Sequence, residues 1–360
     1  MMHMRRVPLH SMTKHSEPTQ ARCPLPDGAP RAWVAYAVVA LVALLEHRAI
    51  LRFHLEPAAQ TSMVTAAWGV VVGEPHWAEY QPRLLGPWLV RALSATGWFG
   101  AGMNGFGRAF VALLLILTLA KSLILTHVSL RLHKSVPSAL ARTLVAVAAF
   151  GILQVPEWLY LWDHLDVIVF SLFLYGALAK RGILYFCLLF VVAILNRQSG
   201  LFVALWLLAD GLWRRNPATG RIEWMTSWRR SLVGAGLLVT GLGLIHCEQT
   251  WLLVREVARE DNPAFVTEGA FHLTRNLRTI GLHVLNPNWT LGFLPGLVVL
   301  VALAISIRAL VKADDFMSKQ ALLLIAMLSS VLLFGLVNET RVFTMFIPFA
   351  ALLPYRWSRS

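Results

Sequence analysis

The sequence predicts an all-α, polytopic membrane protein with about ten transmembrane helices. Three observations carry that prediction. Of the 360 residues 57% are hydrophobic and only 14% charged, against roughly 25% charge in soluble domains. Apolar runs of about 20 residues recur between short polar breaks, the length a helix needs to cross a ~30 Å hydrocarbon core. The basic residues are not spread evenly but gather in alternate breaks, as the positive-inside rule requires of a multi-pass chain.

Residues 1–30 carry Arg5, Arg6, Lys14 and Arg22 among scattered prolines and read as a disordered cytoplasmic tail. They hold no apolar core or small-residue cleavage site, so the segment is not a signal peptide. Residues 31–360 read as one transmembrane domain. Membrane segments are expected near 32–52, 106–130, 137–155, 158–179, 182–195, 199–213, 231–250, 291–311, 319–337 and 342–355. With the N-terminus inside, the cytoplasmic connections carry Arg131 and Lys134, then Lys180 and Arg181, then Arg214, Arg215, Arg221, Arg229 and Arg230, then Lys312 and Lys319. Arg356 and Arg359 follow the last segment. Of the short outer connections, only those holding Arg197 and Arg341 are basic. A bacterial inner membrane, with the polar outer ends facing out of the cytoplasm, is the expected location.

The formal net charge of +13 is explained by these flanks rather than by nucleic acid, which would need a basic face on a soluble domain. Cys23, Cys187 and Cys247 show neither disulfide-framework nor zinc spacing.

Residues 182–213 are read as two helices rather than one. A single helix would run about 48 Å at 1.5 Å per residue, well beyond the core, and would put the five-arginine connection outside. The break falls at Asn196-Arg197-Gln198-Ser199-Gly200. The two resulting helices are short, as is the last one, after Asn338-Glu339-Thr340-Arg341. Their outer ends then lie below the membrane surface, where irregular backbone survives only inside protein or beside a water-filled cavity. Two outer loops are long, about 53–105 and 251–290. In the first, Leu84, Leu85, Trp88, Leu89 and Leu93 have helical spacing over 82–95 and predict an interfacial helix beginning at Pro82. The second mixes charges (Arg255, Glu256, Arg259, Glu260, Asp261) with Phe271, Leu273, Leu277 and Leu282 and predicts one or two helices on the membrane.

Four polar groups stand at outer helix ends, where intramembrane charge is costly and usually functional. The first is Glu79-Tyr80-Gln81-Pro82-Arg83, with Glu56, Glu74 and His76 upstream. A carboxylate here suits a general base toward a substrate hydroxyl; an ordinary acidic helix start is the plain alternative. The second is Asp163, His164 and Asp166, the two carboxylates three apart and so on one helix face. They suit orientation of a substrate hydroxyl or, with phosphate oxygens and waters completing the ligand set, a divalent cation such as Mg or Mn; acidic capping of a helix start is the plain alternative. The third is Asn196, Arg197 and Gln198. Arg197 suits a phosphate or an ion pair with Asp163 or Asp166. The fourth is Asn338, Glu339 and Arg341. Glu339 and Arg341 are two apart and would not face each other on a helix, so each is expected to pair elsewhere, and Arg341 is a further phosphate ligand. Glu46, His47 and Arg48 near the outer end of the first helix either line the same cavity or pair together. Asn288-Trp289-Thr290 and Asn338-Glu339-Thr340 match the glycosylation acceptor pattern. Gly241 and Gly243 suit close helix packing. No phosphate loop, nucleophile elbow or zinc-hydrolase motif is present, and the halves show no internal repeat of the kind many transporters carry.

The layout resembles the C-type fold of integral-membrane glycosyltransferases: a first helix, a long outer loop with interfacial helices and an acidic residue, and polar residues at outer helix ends. The strings Tyr80-Gln81-Pro82-Arg83-Leu84-Leu85, Asn196-Arg197-Gln198 and Glu339-Thr340-Arg341 are similar to those of bacterial membrane proteins of this type. The resemblance implies a polyprenyl-phosphate-linked sugar donor, an outward active site and an acidic base in the first outer loop. By position that base is Glu79, or else Glu74 or Glu56; no Asp-Asp or Asp-Glu pair follows the first helix directly. Arg83, Arg197 and Arg341 would hold the phosphate leaving group. A transporter or flippase for an anionic lipid-linked substrate, and a structural subunit of an envelope-assembly complex, are the alternatives.

Overall fold

The computed structural model describes residues 29–53, 57–74, 83–133, 135–154, 160–215, 219, 221–248, 250, 272–285, 300–301, 303–304, 307, 315–337 and 339–353. Among these the chain is almost wholly helical. Six helices are long and apolar enough to cross a membrane: α1 (Ala29–Phe53), α4 (Gly102–Leu132), α5 (Val136–Leu153), α6 (Leu161–Leu178), α9 (Trp228–Cys247) and α11 (Asp315–Phe334). The expected all-α membrane protein is therefore what the chain forms. Shorter apolar helices stand between them: α2 (Pro57–Val72), α3 (Leu85–Ser94), α7 (Ile183–Asn196), α8 (Leu201–Leu212) and α12 (Ile347–Leu352). The amphipathic α10 (Leu273–Leu285) lies in the second long loop, as expected of part of it. The predicted tail up to residue 28, and most of the expected segment 291–311, lie outside the described residues.

Local chemistry explains several boundaries. Ser135 starts α5, its Oγ accepting from Ser138 N–H at 3.5 Å, with Pro137 in the first turn, where its missing N–H is harmless. The break predicted at 196–200 is present. Arg197 is extended (φ −167°, ψ 157°), and a 3-10 turn Gln198–Gly200 leads into α8. A Cβ on Gly200 would stand 2.5 Å from the Ile194 backbone nitrogen, so only glycine lets the turn fold back on α7. α8 and α9 pack backbone to backbone. A Cβ on Gly234 would lie 2.4 Å from Leu208 N, and one on Gly211 2.6 Å from Ser231 N. Gly241 serves the same packing against Leu201 and Phe190; Gly243 meets nothing within 4 Å and does not.

Two expectations are corrected here. The first long loop is not only an interfacial helix. Its early part forms α2, a 16-residue apolar helix whose Met63, Ala66, Ala67 and Val70 are buried. With no charge and no period to read, α2 is invisible as an amphipathic pattern. The fold also holds a small sheet: β1 (Trp213–Arg215) pairs antiparallel with β2 (Ile222–Trp224) between α8 and α9. The predicted helix at 82–95 begins three residues later, at Leu85.

Two apolar cores divide the bundle. One joins the C-terminal half of α4 to α5–α8, α11 and α12 through Phe150, Phe170, Phe173, Phe186, Trp206 and Phe349. The other joins Ile50, α2, α3 and the N-terminal half of α4 to Tyr160, Leu161, Trp162 and Leu165. Along α4, Leu117 belongs to one core and Leu125 to the other. Between them Thr118, Lys121 and Ser122 are fully buried. Polar side chains thus fill the seam. The hydroxyls of Thr118 and Ser122 donate to their own helix, to Leu114 O and Thr118 O, which satisfies them without outside partners.

Candidate functional site

The N-terminus of α6, the α7–α8 break and the segment after α11 meet at one end of the bundle. Asp166 organises the meeting. Its Oδ1 accepts from Asn196 Nδ2 at 2.9 Å and Ser199 Oγ at 3.0 Å, and its Oδ2 from Arg197 Nη1 at 3.3 Å. Asn196 Nδ2 also donates to Trp162 O at 3.1 Å. A buried carboxylate costs several kcal/mol unless paired and hydrogen-bonded; here three donors meet it, and they hold the break in place.

Asp163, one turn earlier on the same face, is held differently. Its oxygens lie 3.7 Å from Arg197 Nη1 and 3.9 Å from Arg341 Nη1, and its side chain is 0% exposed. Neither oxygen receives a hydrogen bond among the described residues. Arg197 therefore bridges both carboxylates, as the i, i+3 spacing predicts. Glu339 and Arg341 do face each other, at 2.5 Å, contrary to expectation. The helical premise fails because Glu339 (φ −83°, ψ 84°) precedes a 3-10 helix, Thr340–Phe346. Thr340 Oγ1 ties this segment to α5 by donating to Leu153 O at 2.8 Å.

Aromatic rings complete the arrangement. Tyr160 is extended (φ −113°, ψ 139°) just before α6, so its ring stacks on Trp162 at 4.0 Å and 13° although the two are only two residues apart. Arg83 lies 4.2 Å from the Trp162 ring centroid and Arg341 4.3 Å from that of Tyr160. Both are cation–π distances. Burial, with the charges of Arg197 and Arg341 nearby, pushes the Arg83 guanidinium down to about 10. Three arginines thus feel one another around Asp163. Arginine forks fit phosphate oxygens, and the buried aromatic pair holds Arg83 and Arg341 against its rings. Guanidinium groups stand where a divalent cation would need oxygens, and no group of three His, Cys, Asp or Glu among the described residues has metal-binding geometry. Among the described residues a divalent cation would have only Asp163 and Asp166 as carboxylate ligands, with Arg197 already placed against both.

The remaining sequence-predicted residues fall as follows. Glu79, Gln81 and Asn338, with Glu56 and His76, lie outside the described residues. Glu74 and Gln198 are exposed. His164 is fully buried on another side of α6, its ring 4.6 Å from Phe150, and neither ring nitrogen has a partner among the described residues. It belongs to the seam rather than to the arginine cluster. There Glu46 Oε1 accepts from Lys121 Nζ at 2.6 Å, and Lys121 also sits 3.4 Å from the Phe150 ring centroid.

Lys121 escaped the sequence reading, though its signal was plain: a cation in the apolar middle of a 31-residue helix. The stacked Tyr160 escaped it too, because helical spacing forbids i, i+2 contact and only the extended residue before α6 permits it. Glu248, buried at the end of α9, was hidden by the apolar run before it. A separate open groove of about 880 Å³ lies between α1, α2 and α4, with His47, Thr61, Asn104 and Arg108 as its polar lining. Compared with family models, curated proteins and solved structures, the chain matches none.

Proposed function

We propose that the chain transfers a glycosyl group from a polyprenyl-phosphate-linked sugar to an acceptor hydroxyl, at the extracytoplasmic face of a bacterial inner membrane. In this reading it is a C-type-like enzyme of about ten membrane segments. The convergence of Arg197 and Arg341 on Asp163, with Arg83 against Trp162 and Arg341 against Tyr160 of the stacked pair, is the observation that carries it. A carboxylate of the first outer loop, Glu79, takes the acceptor proton. The acceptor oxygen attacks the anomeric carbon, and the bond from that carbon to the phosphate oxygen breaks. The electron pair leaves with the polyprenyl phosphate, whose charge the arginines stabilise. Asp166, fully engaged, is a positioning residue. Asp163 retains lone pairs for a sugar hydroxyl. Among the described residues Arg197 and Arg341 meet Asp163, Asp166 and Glu339 at rest, so a phosphate reaching these two arginines displaces a carboxylate. Glu339, with its side chain 30% exposed, is the one free to leave.

The test is transfer of labelled sugar from a panel of synthetic polyprenyl-phosphoryl hexoses and pentoses, using membranes that contain the protein. Glu79→Gln should abolish transfer while leaving the melting temperature unchanged. Full activity in that variant would remove Glu79 from the role, and no transfer from any donor would remove the reaction.

A structural subunit is the second reading, favoured by the same three carboxylates, which neutralise the arginines without any ligand. It separates from the first by ligand response: a structural cluster gains no stability from a lipid phosphate. The flippase reading needs a polar path to the opposite end. A second network stands there, Asp210 with Arg230 and Lys319, the lysine also 3.0 Å from Asp315. Among the described residues Phe170, Phe173, Trp206 and Phe349 fill the core between the two ends, which favours the transferase reading over the flippase.

A further inference from the structure

The end of the bundle opposite the arginine–carboxylate cluster carries an exposed surface that nothing above uses. The β1–β2 hairpin and the first turn of α9 stand there, tied down from several sides. Arg215 N donates to Asp315 Oδ1 at 2.6 Å, Arg230 pairs with Asp210, and Met225 N donates to Leu212 O at 2.6 Å. Met225 sits at φ +54°, a conformation uncommon for a residue with a side chain, which turns the chain from β2 toward α9.

This fixed turn leaves large apolar side chains uncovered. Ile222 is 52% exposed, Trp224 71%, Met225 57% and Trp228 60%. Register puts Ile222 and Trp224 on one face of the hairpin, the face shared by Trp213 and Arg215. Exposed Arg221 and Arg229 flank the row, the latter with its guanidinium 5.7 Å from the Trp228 ring. Arg214 is on the other face, opposite Glu223. The hairpin also stands at a defined depth. Leu212 closes the apolar α8 and Trp228 opens the apolar α9, so the strands begin where the hydrocarbon ends. Tryptophan and arginine together at that level match the headgroup layer, rings at the carbonyl region and guanidiniums among phosphates.

We propose that the hairpin face Ile222–Trp224, with Met225, Trp228, Arg221 and Arg229, binds the headgroups of anionic glycerophospholipids in the leaflet at this end. Charge complementarity selects the occupant. Arg215 is on the row's own face, exposed Arg221 and Arg229 stand at its ends, and the single carboxylate of the hairpin, Glu223, is on the opposite face. A protein partner would have to displace the lipid that already surrounds this level of the bundle.

Native mass spectrometry of the full-length protein, with dioleoyl phosphatidylglycerol or dioleoyl phosphatidylcholine titrated into detergent, tests this. Phosphatidylglycerol should bind more tightly. Arg221→Gln/Arg229→Gln should weaken it about 25-fold, each arginine near an anionic surface contributing about fivefold, while leaving phosphatidylcholine unchanged. Trp224→Ala should weaken both. Arg214→Gln, on the opposite face, and Lys180→Gln, at the same end but off the hairpin, should stay within about twofold of the wild type. Equal binding of the two lipids overturns the proposal. So does an unchanged double variant, or an equal loss in the Lys180 control, which would mean diffuse charge. If the double variant melts early, Arg221→Gln and Arg229→Gln are read singly; both residues are exposed, and each should still lower phosphatidylglycerol affinity. None of these outcomes depends on glycosyl transfer.

Discussion

Lys121→Met isolates the seam between the two cores. Lys121 is 0% exposed, and its only carboxylate partner among the described residues is Glu46 on α1, 2.6 Å away. At an effective dielectric of ~20, two unit charges at that distance attract by about 6 kcal/mol. Desolvating the two ions costs several kcal/mol each. The pair is therefore close to neutral for stability, while either ion alone is strongly unfavourable. Removing the ammonium leaves the Glu46 carboxylate, its side chain 8% exposed, at the helix interface without its cation. Breaking such a pair costs about 3–5 kcal/mol. The double variant Glu46→Gln/Lys121→Met, similar in shape and uncharged, should return to within about 1 kcal/mol of the wild type. The assay is an unfolding titration of the purified protein in mixed micelles, run as a double-mutant cycle. A single variant as stable as the wild type, or a double variant as weak as the single, would refute this account of the seam.

Three further outcomes follow from the same geometry. Asp166→Ala removes the acceptor of Ser199 and one partner each of Asn196 and Arg197 and should cost about 3 kcal/mol or more, read in the same titration; a loss below about 1 kcal/mol would show that the break holds itself. His133, just beyond α4, is held below its ordinary value by burial and then by the charge of Arg142. The unfolded chain takes up that proton first, so this residue contributes a loss of stability as pH falls below about 6.5. His133→Asn should flatten that acid limb and leave stability above pH 7 unchanged; parallel pH profiles would contradict it. Arg341→Gln should free Glu339 and weaken lipid-phosphate binding without unfolding the chain, which melting curves with and without the ligand would show.

The bundle was legible because apolar run length and basic flanks are properties of composition along the chain. The expected boundaries of α1, α5 and α7 fall within about three residues of those observed. The α7–α8 break was legible for a stronger reason: a helix too long for the bilayer, with polar residues and a glycine at its middle, has to fold back. What the sequence hid depends on side chains far apart in it. Arg83 reaches Trp162, Arg341 reaches Asp163, and Lys121 reaches Glu46 across 75 positions. Helical spacing also misled where the backbone is not helical, at Tyr160 and Glu339, and those two residues shape the site. The hairpin after α8 was read as a basic connection because three-residue strands leave no alternation to detect.

The central claim is that three arginines form a seat for a lipid-linked phosphate. It is tested most directly by melting the purified protein with geranylgeranyl phosphate and, in parallel, with geranylgeraniol, which has the same chain and no phosphate. The phosphate alone should stabilise the protein, by about 2.7 kcal/mol at a hundred times its dissociation constant. That response should be lost in Arg83→Gln, Arg197→Gln and Arg341→Gln. Equal shifts with the alcohol, or a phosphate response that survives in all three variants, would contradict it.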